Sequence, residues 1–422
     1  MLYALVGCCG GKMEENMIAV EEALRIVLEH TPTLGICERG LMDAWGTVLA
    51  EEVRSDMNMP PFDKSAMDGY AVVAADVVGA SREHPVVLDV VEDVVAGMMP
   101  TRAVSSGKAA KIMTGAPVPE GADTVVMVEV TEQVGSSVRI FEPCEQGKNI
   151  CFLGEDIRTG DVVLEPGKVI RAQEIGVLAS VGRTKVQVFE RPAVAVIATG
   201  SEIVEPNVVL QPGQIRNSNG YSLSAQVLES GCEVRYLGIV DDTKPELKAR
   251  IEEGLRADVL ILSGGVSMGE YDLVKETLRE LGVRVFFEKV RMKPGKPTVF
   301  GVRGLTLVFG LPGNPVSTMV AFEQFVRPAI RKMARHRQPE RPRVHAVLGR
   351  ALKKKPGRRQ FAPAKTVYKE DGWHTDAVES HGSADLWAMT EANSFLIVPE
   401  EYGLLEAGQV VEVQLLDESV FR

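Results

Sequence analysis

The sequence predicts a multidomain α/β plus β protein built around a doubly wound α/β domain, and three observations carry that prediction. The chain has 422 residues, more than one ordinary core accommodates at ~100 to 200 residues per domain. From Pro192 onward, the apolar runs PAVAVIATG, CEVRYLGIVDD, DVLILSGG, VRVFFEKV and LTLVFGLPG are interleaved with the helical stretches NGYSLSAQVLES, KPELKARIEEGL, YDLVKETLRE and PVSTMVAFEQFVRPAIRKMA. Continuous apolar strands separated by helices make a parallel sheet covered on both faces. Both flanks differ in texture: the N-terminal side is Val-rich and broken by Gly and Pro, and the C-terminal side is dominated by strand and turn signals.

Taken in order, the opening MLYALVGCCGG is too short to span a membrane and lacks the basic flank of a secretory signal. IAVEEALRIVLEH, from Ile18 to His30, spaces its apolar residues for an amphipathic helix, and CERGLMDAWGTVLAEEV predicts a second helical stretch after Thr31-Pro32. Between about Arg54 and Asp156, PVVLDVVEDVVAG and ADTVVMVEV read as strands of a small β module. RAQEIGVLASVG then returns to helix, so the β module is expected as an insertion in a segment whose two ends pair. ARHRQPERPR reads as a polar linker, and RVHAVLGRAL, DGWHTDAV, SFLIVPEEYG and VVEVQLL predict a C-terminal β domain.

Composition narrows the function classes. With 45% hydrophobic, 25% charged and 5% aromatic residues, the chain is of the soluble globular kind. Its net charge of -11 repels polyanions at long range, which argues against nucleic-acid and membrane-surface partners. An anionic substrate must therefore be caught by local cations. Six cysteines without a C-x-x-C pair fit a reducing cytoplasm, and six histidines without H-x-x-x-H spacing give no support to a histidine-built metal site.

In an open parallel sheet, ligands bind beyond the carboxyl ends of the strands. Here those positions read Thr199-Gly200-Ser201-Glu202, Asp241-Asp242, Ser263-Gly264-Gly265-Val266-Ser267, Lys293-Pro294-Gly295-Lys296-Pro297 and Pro312-Gly313-Asn314-Pro315. Glycines let the backbone approach a phosphate, and a following helix start supplies N–H groups. Neither G-x-x-x-x-G-K-[ST] nor G-x-G-x-x-G is present, so an ordinary P-loop or dinucleotide fingerprint is absent. Lys293 and Lys296 flank a Pro-Gly turn that limits the backbone, which lets both ammonium groups converge on one small anion.

Asp63, Asp156, Glu202, Asp242 and Asp272 are candidate hard-oxygen ligands for magnesium, which bridges phosphate oxygens, although capping and turn roles account for any one of them. Asp68-Gly69 reads as a turn. RALKKKPGRR places six basic residues in ten positions. It reads as a hairpin edge protected by lysines, as a nucleic-acid patch, or as a side chain reaching an anion site, and Arg358 beside Pro356-Gly357 is the candidate for the last role.

In the order PPFDKSAMDGYA, MTGAPVPEGADTVVMVE, GEDI, ATGSEI, RNSNGYSL, SGGVSMGEYD, MKPGKP and GLPGNPVS, the chain resembles the molybdopterin molybdenumtransferases, a family related to the C-terminal domain of gephyrin. The resemblance runs from Ile18 to the C-terminus. It implies an enzyme that takes adenylylated molybdopterin (molybdopterin-AMP) and molybdate, inserts the metal and releases AMP, assisted by magnesium. A molybdopterin adenylyltransferase and a catalytically inactive scaffold of the same fold are the competing readings.

The implied domains are an extra N-terminal segment at 1–17, a discontinuous helical linker domain at 18–46 and 157–190, and an inserted β-rich domain at 47–156. A molybdopterin-binding α/β domain at 191–335 and a C-terminal β-barrel-like domain at 336–422 complete them. The implied partners are a second copy of the chain in a homodimer whose clefts draw on both subunits, a molybdopterin adenylyltransferase and molybdoenzyme acceptors.

By resemblance, Asp63, Thr114, Asp156, Glu202, Asp242 and Asp272 match the nucleotide, magnesium and pterin site. Ser218, Asn219, Ser263, Gly264, Gly265, Ser267, Pro312, Gly313 and Asn314 fall in the cofactor-binding motifs. Lys293, Lys296 and Pro297 match the anion-binding turn, and Arg358 and Ser383 match the molybdate pocket. The first 17 residues carry no family motif, and SHGSADLWAMTEANSF around Ser383 keeps only the general pattern.

Overall fold

The computed structural model describes residues 17–241, 243–264 and 271–417. These fall into two compact units, one of Met1–Arg39, Gly46–Ala50 and Gln187–Arg422, the other of Gly40–Trp45 and Glu51–Val186.

The first unit is organised by a six-stranded sheet in the order Glu233–Val240, Ala193–Thr199, Val259–Ser263, Thr306–Leu311, Val299–Arg303, Arg284–Phe287. Side chains alternate across it. Val194, Val196, Val259, Ile261 and Phe309 enter one core with the helix Val20–Glu29 and with Phe322 and Phe325. Ala195, Ile197, Leu260, Leu262 and Val308 enter the other with Leu247, Ile251, Val274 and Leu278. Two buried faces explain why the strands read as unbroken apolar runs.

The sheet is not wholly parallel, as the sequence had suggested. Val299–Arg303 was not read as a strand, yet it runs antiparallel to both Arg284–Phe287 and Thr306–Leu311. Its reversal leaves Arg284–Phe287 pointing the same way as the four parallel strands. The loop carrying Lys293 and Lys296 therefore still leaves from the carboxyl edge.

Within the same unit, five strands close a barrel: Arg359–Lys369, Gly372–Ala377, Arg343–Leu348, Val410–Leu415 and Ser394–Val398, the last pairing back onto the first. Ala346, Leu348, Ala364, Leu396 and Val413 fill it. Met292–Lys293 joins as a short parallel strand on Arg359 and Gln360, so the barrel and the lysine turn share backbone hydrogen bonds.

The second unit holds a six-stranded sheet in the order Thr124–Met127, Gly69–Val72, Lys108–Ile112, Val86–Val94, Ser137–Ile140, Thr131–Val134. Gly69 is required there, because a Cβ would stand 1.9 Å from the Val126 carbonyl oxygen. The helix Ala172–Ser180 opens with Arg171 and Glu174 bonded to each other. The expected pairing of the excursion's ends occurs in each unit separately: Leu49 bridges Val188 in the first, and Val53–Arg54 pairs with Val162–Leu164 in the second.

Two helical expectations need correction. CERGLMDAWGTVLAEEV forms the strand Ile36–Gly40 and only one helical turn, Leu41–Ala44. Met42 and Trp45 are 77% and 60% exposed, Gly46 at φ 77 ends the helical turn, and the buried Leu49 and Val53 beyond it lie in extended pairings. PVSTMVAFEQFVRPAIRKMA is also interrupted, with a π-helical turn at Phe322–Val326 between Pro315–Ala321 and Arg327–Met333.

The supposed linker ARHRQPERPR is tied down as well. Arg341 bonds Glu323 at 2.9 Å and Glu229 at 2.6 Å. Arg327 approaches the same Glu323 at 3.7 Å, and Gln226 donates to it at 2.9 Å.

Candidate functional site

At the carboxyl edge of the first unit's sheet, the glycine turns are there for steric reasons. Gly264 has φ +94, and a Cβ on it would meet the Thr199 carbonyl oxygen at 2.2 Å. Asn219, at the start of the helix Asn219–Glu229, donates to Ser263 Oγ at 3.0 Å and to the Gly313 carbonyl at 2.7 Å. The helix start is thereby joined to two strand ends. Thr199 Oγ1 and Asn219 Oδ1 are buried there without a hydrogen-bond partner among the described residues. Ser218 stands at the N-cap of the same helix, but its side chain makes no capping bond.

From this edge a cleft of about 1200 Å³ extends to the barrel. The sheet side contributes Glu202, Gly264, Pro312, Gly313 and Asn314, and the lysine turn contributes Lys293, Lys296 and Pro297. The barrel side contributes Arg358 and Ser383. Asn314 Nδ2 donates to Ser383 Oγ at 2.8 Å, and the Val316 N–H donates to the Ser383 carbonyl at 3.1 Å.

Sequence reasoning overlooked Arg350, Gln360 and His381, which line the same cleft. Arg350 opens the basic run RALKKKPGRR, and its place at a strand end beside Gly349 was the available signal. Gln360 and His381 gave none, since only barrel closure brings them in.

The lysine turn is held rigidly. Val290 and Thr298 both donate their N–H to the Lys296 carbonyl, and Thr298 Oγ1 donates to Gly295 at 2.7 Å. Lys293, Lys296 and Arg358 have no carboxylate within ion-pair distance among the described residues, and Arg350 has only long pairs, 3.6 Å to Asp376 and 3.8 Å to Glu379. Among the described residues, the four cations Lys293, Lys296, Arg350 and Arg358 against Glu202 and Glu379 give the cleft a surplus of positive charge in a protein of net charge -11. Such a surplus in a concave wall attracts and partly desolvates a small oxyanion.

The other predicted residues fall in the second unit or outside the described residues. Asp63, Thr114 and Asp156 belong to the second unit. Asp63 accepts the Leu153 N–H at 2.7 Å, and the Asp156 N–H donates to the Met59 carbonyl at 3.0 Å. Thr114 is held by Asp68, which accepts from its N–H at 2.7 Å and from its hydroxyl at 2.8 Å. Those two bonds, the backbone one first, hold the Asp68 carboxyl below its usual range. Asp68 therefore orients Thr114 as well as standing in a turn. Asp242, Gly265, Ser267 and the Asp272 side chain lie outside the described residues.

Among the described residues, no three His, Cys, Asp or Glu side chains gather as a metal-holding group. Of the candidate magnesium ligands, Asp63 and Asp156 belong to the second unit and Glu202 to the first. They offer hard oxygens, the donor type magnesium takes when phosphates complete its shell.

Fold and site define a class: a multidomain protein whose doubly wound α/β layer and closed β-barrel share a cleft that suits a small oxyanion beside a phosphorylated ligand. Family models place it within that class. "MoeA N-terminal region (domain I and II)" matches residues 18–182, "Probable molybdopterin binding domain" matches 195–332, and "MoeA C-terminal region (domain IV)" matches 345–416. A molybdopterin molybdenumtransferase of Bacillus subtilis is 36% identical over 407 residues, 95% of this chain and 94% of that one. Molybdopterin molybdenumtransferase 2 of Mycobacterium tuberculosis is 38% identical, over 94% of this chain and 99% of that one. A crystal structure of the molybdopterin biosynthesis MoeA protein of Pyrococcus horikoshii superposes with a TM-score of 0.77 at 30% identity, covering 95% of this chain and all of that one. The chain belongs to the MoeA family.

Proposed function

We propose that the protein is a molybdopterin molybdenumtransferase that converts adenylylated molybdopterin and molybdate into molybdenum cofactor and AMP. The observation that carries this reading is the cation cluster of Lys293, Lys296 and Arg358, which lacks counter-ions in a cleft continuous with the glycine turns. Molybdate is a tetrahedral dianion, and fixed ammonium and guanidinium groups offset the loss of its hydration. Asn314 orients Ser383, whose hydroxyl is then available to an oxyanion in the cleft. The amides around Gly264 and Gly313, which line the cleft, suit the pterin phosphate.

When bound, magnesium would neutralise the phosphoanhydride charge, with Asp63, Asp156 or Glu202 as its protein oxygens. In this reading Asp63 or Asp272 orients the water that adds to phosphorus as the bond to AMP breaks. Action as a homodimer in the cytoplasm, receiving substrate from a molybdopterin adenylyltransferase and passing product to molybdoenzymes, belongs to the same proposal. No helix among the described residues is long and apolar enough to cross a membrane.

The test is incubation with adenylylated molybdopterin, with and without molybdate, while AMP is followed. Molybdate-dependent AMP release is expected, and it should be suppressed in Asp63→Ala. Release indifferent to molybdate would falsify the reading, consumption of ATP would favour an adenylyltransferase, and no turnover at all would favour an inactive scaffold.

A further inference from the structure

Behind the cleft wall, one peptide group is gripped at both of its polar atoms. The Arg358 carbonyl oxygen accepts from Lys354 Nζ at 2.6 Å. The N–H of Arg359, in the same peptide plane, donates to the Arg291 carbonyl at 3.0 Å. Holding both atoms fixes the rotation of that plane. On one side it carries the Arg358 side chain. On the other it begins the strand Arg359–Lys369, whose first two residues pair with Met292 and Lys293. The grip therefore sets the spacing between two of the cleft's cations.

Lys354 is built into this place. It is half-buried and does not line the cleft. Its own N–H donates to the Gly403 carbonyl at 2.9 Å, the Gly357 N–H donates to Glu400 at 2.8 Å, and Nζ also reaches the Val398 carbonyl at 3.4 Å. Burial lowers the Lys354 pKa, Glu400 and Glu401 oppose the change, and Lys293 and Arg358 reinforce it, so its charge is felt by both cleft cations. A turn carbonyl such as that of Arg358 is ordinarily satisfied by water. An ammonium in that role adds both charge and direction.

We infer that Lys354 is a positioning residue for oxyanion binding: it holds the Arg358 carbonyl toward the back of the wall and the Arg358 side chain at a fixed distance from Lys293. The inference rests on reading the cleft as a molybdate site. Without the ammonium, only the Arg359 N–H bond restrains the peptide plane, so its negative oxygen can swing toward the incoming dianion and the spacing of the two cations loosens.

The experiment compares the full-length wild type with Lys354→Met and Lys354→Arg, by calorimetric titration with molybdate and by the AMP assay. Lys354→Met should bind molybdate roughly ten-fold more weakly, raising KM for molybdate by a similar factor with kcat changed less than about two-fold, and Lys354→Arg should recover most of the loss. A merely structural lysine would give no such split. Molybdate affinity unchanged in Lys354→Met overturns the inference. If the wild type itself binds no molybdate, the functional reading fails, and amide hydrogen exchange at Arg359 then decides the clamp: faster exchange in Lys354→Met upholds it, and unchanged exchange removes it.

Discussion

The first unit contains two clusters of cations, and they are built on opposite terms. In the cleft, Lys293, Lys296 and Arg358 stand on turns and strand ends without carboxylate partners among the described residues. Below the helix layer, Arg327 and Arg341 are buried around one carboxylate, Glu323, which sits in the π-helical turn and is 3% exposed. Burial, with Arg341 and Arg331 beside it, brings Arg327 down to about 10. The buried cluster has its counter-ion within the chain and acts as a strut. The cleft cluster lacks one, so its electrostatic energy is released only when an anion arrives. Whether a cation cluster serves stability or binding thus depends on where its compensating charge comes from.

The largest effect should come from disturbing the strut. Glu323→Gln leaves the buried Arg327 without its carboxylate and Arg341 with only the more exposed Glu229, and about 3 to 5 kcal/mol of stability should be lost in urea unfolding. A loss under 1 kcal/mol would mean that water already compensates the arginines.

Next comes acid. Burial, then Arg331 and Arg327, press the His336 pKa down to about 4. The unfolded histidine takes up its proton near pH 6.5 while the folded one resists until about 4. Over that window the unfolded state binds more protons, so stability falls as pH falls, by up to about 3 kcal/mol. His336→Gln should flatten this part of the pH profile, and an unchanged slope would assign it to other groups.

The smallest effect on stability belongs to the cleft. Lys296→Ala should alter unfolding by less than about 0.5 kcal/mol while weakening molybdate binding about ten-fold. A large loss of stability would erase the distinction between the two clusters.

The same contrast explains what could be read from the sequence. Lys293 and Lys296 were legible because prolines and a glycine bracket them at a strand end, a local pattern that needs no tertiary information. The helices Asn219–Glu229 and Lys244–Gly254 and the strands between them were legible from apolar runs buried on both faces. Glu323, Arg327 and Arg341 were not, since charged residues in a helix or linker ordinarily face water, and only packing against neighbouring elements buries them. Gln360 and His381 were missed because barrel closure, a set of long-range pairings, brings them to the cleft. Val299–Arg303 escaped notice because it is short and contains Gly301, where a Cβ would stand 2.8 Å from the Val283 side chain.

That reversed strand also governs how the cleft can vary. An ordinary strand-to-helix turn is free at its far end, because the helix it feeds can shift. The segment between Phe287 and Val299 instead departs from and returns to one border of the sheet, like a bridge with both abutments on the same bank. Adding or removing a residue between Lys293 and Lys296 would change the gap between the two ammonium groups while the strands on either side kept their pairing, which makes the length of this turn a separate dial for the size of oxyanion admitted.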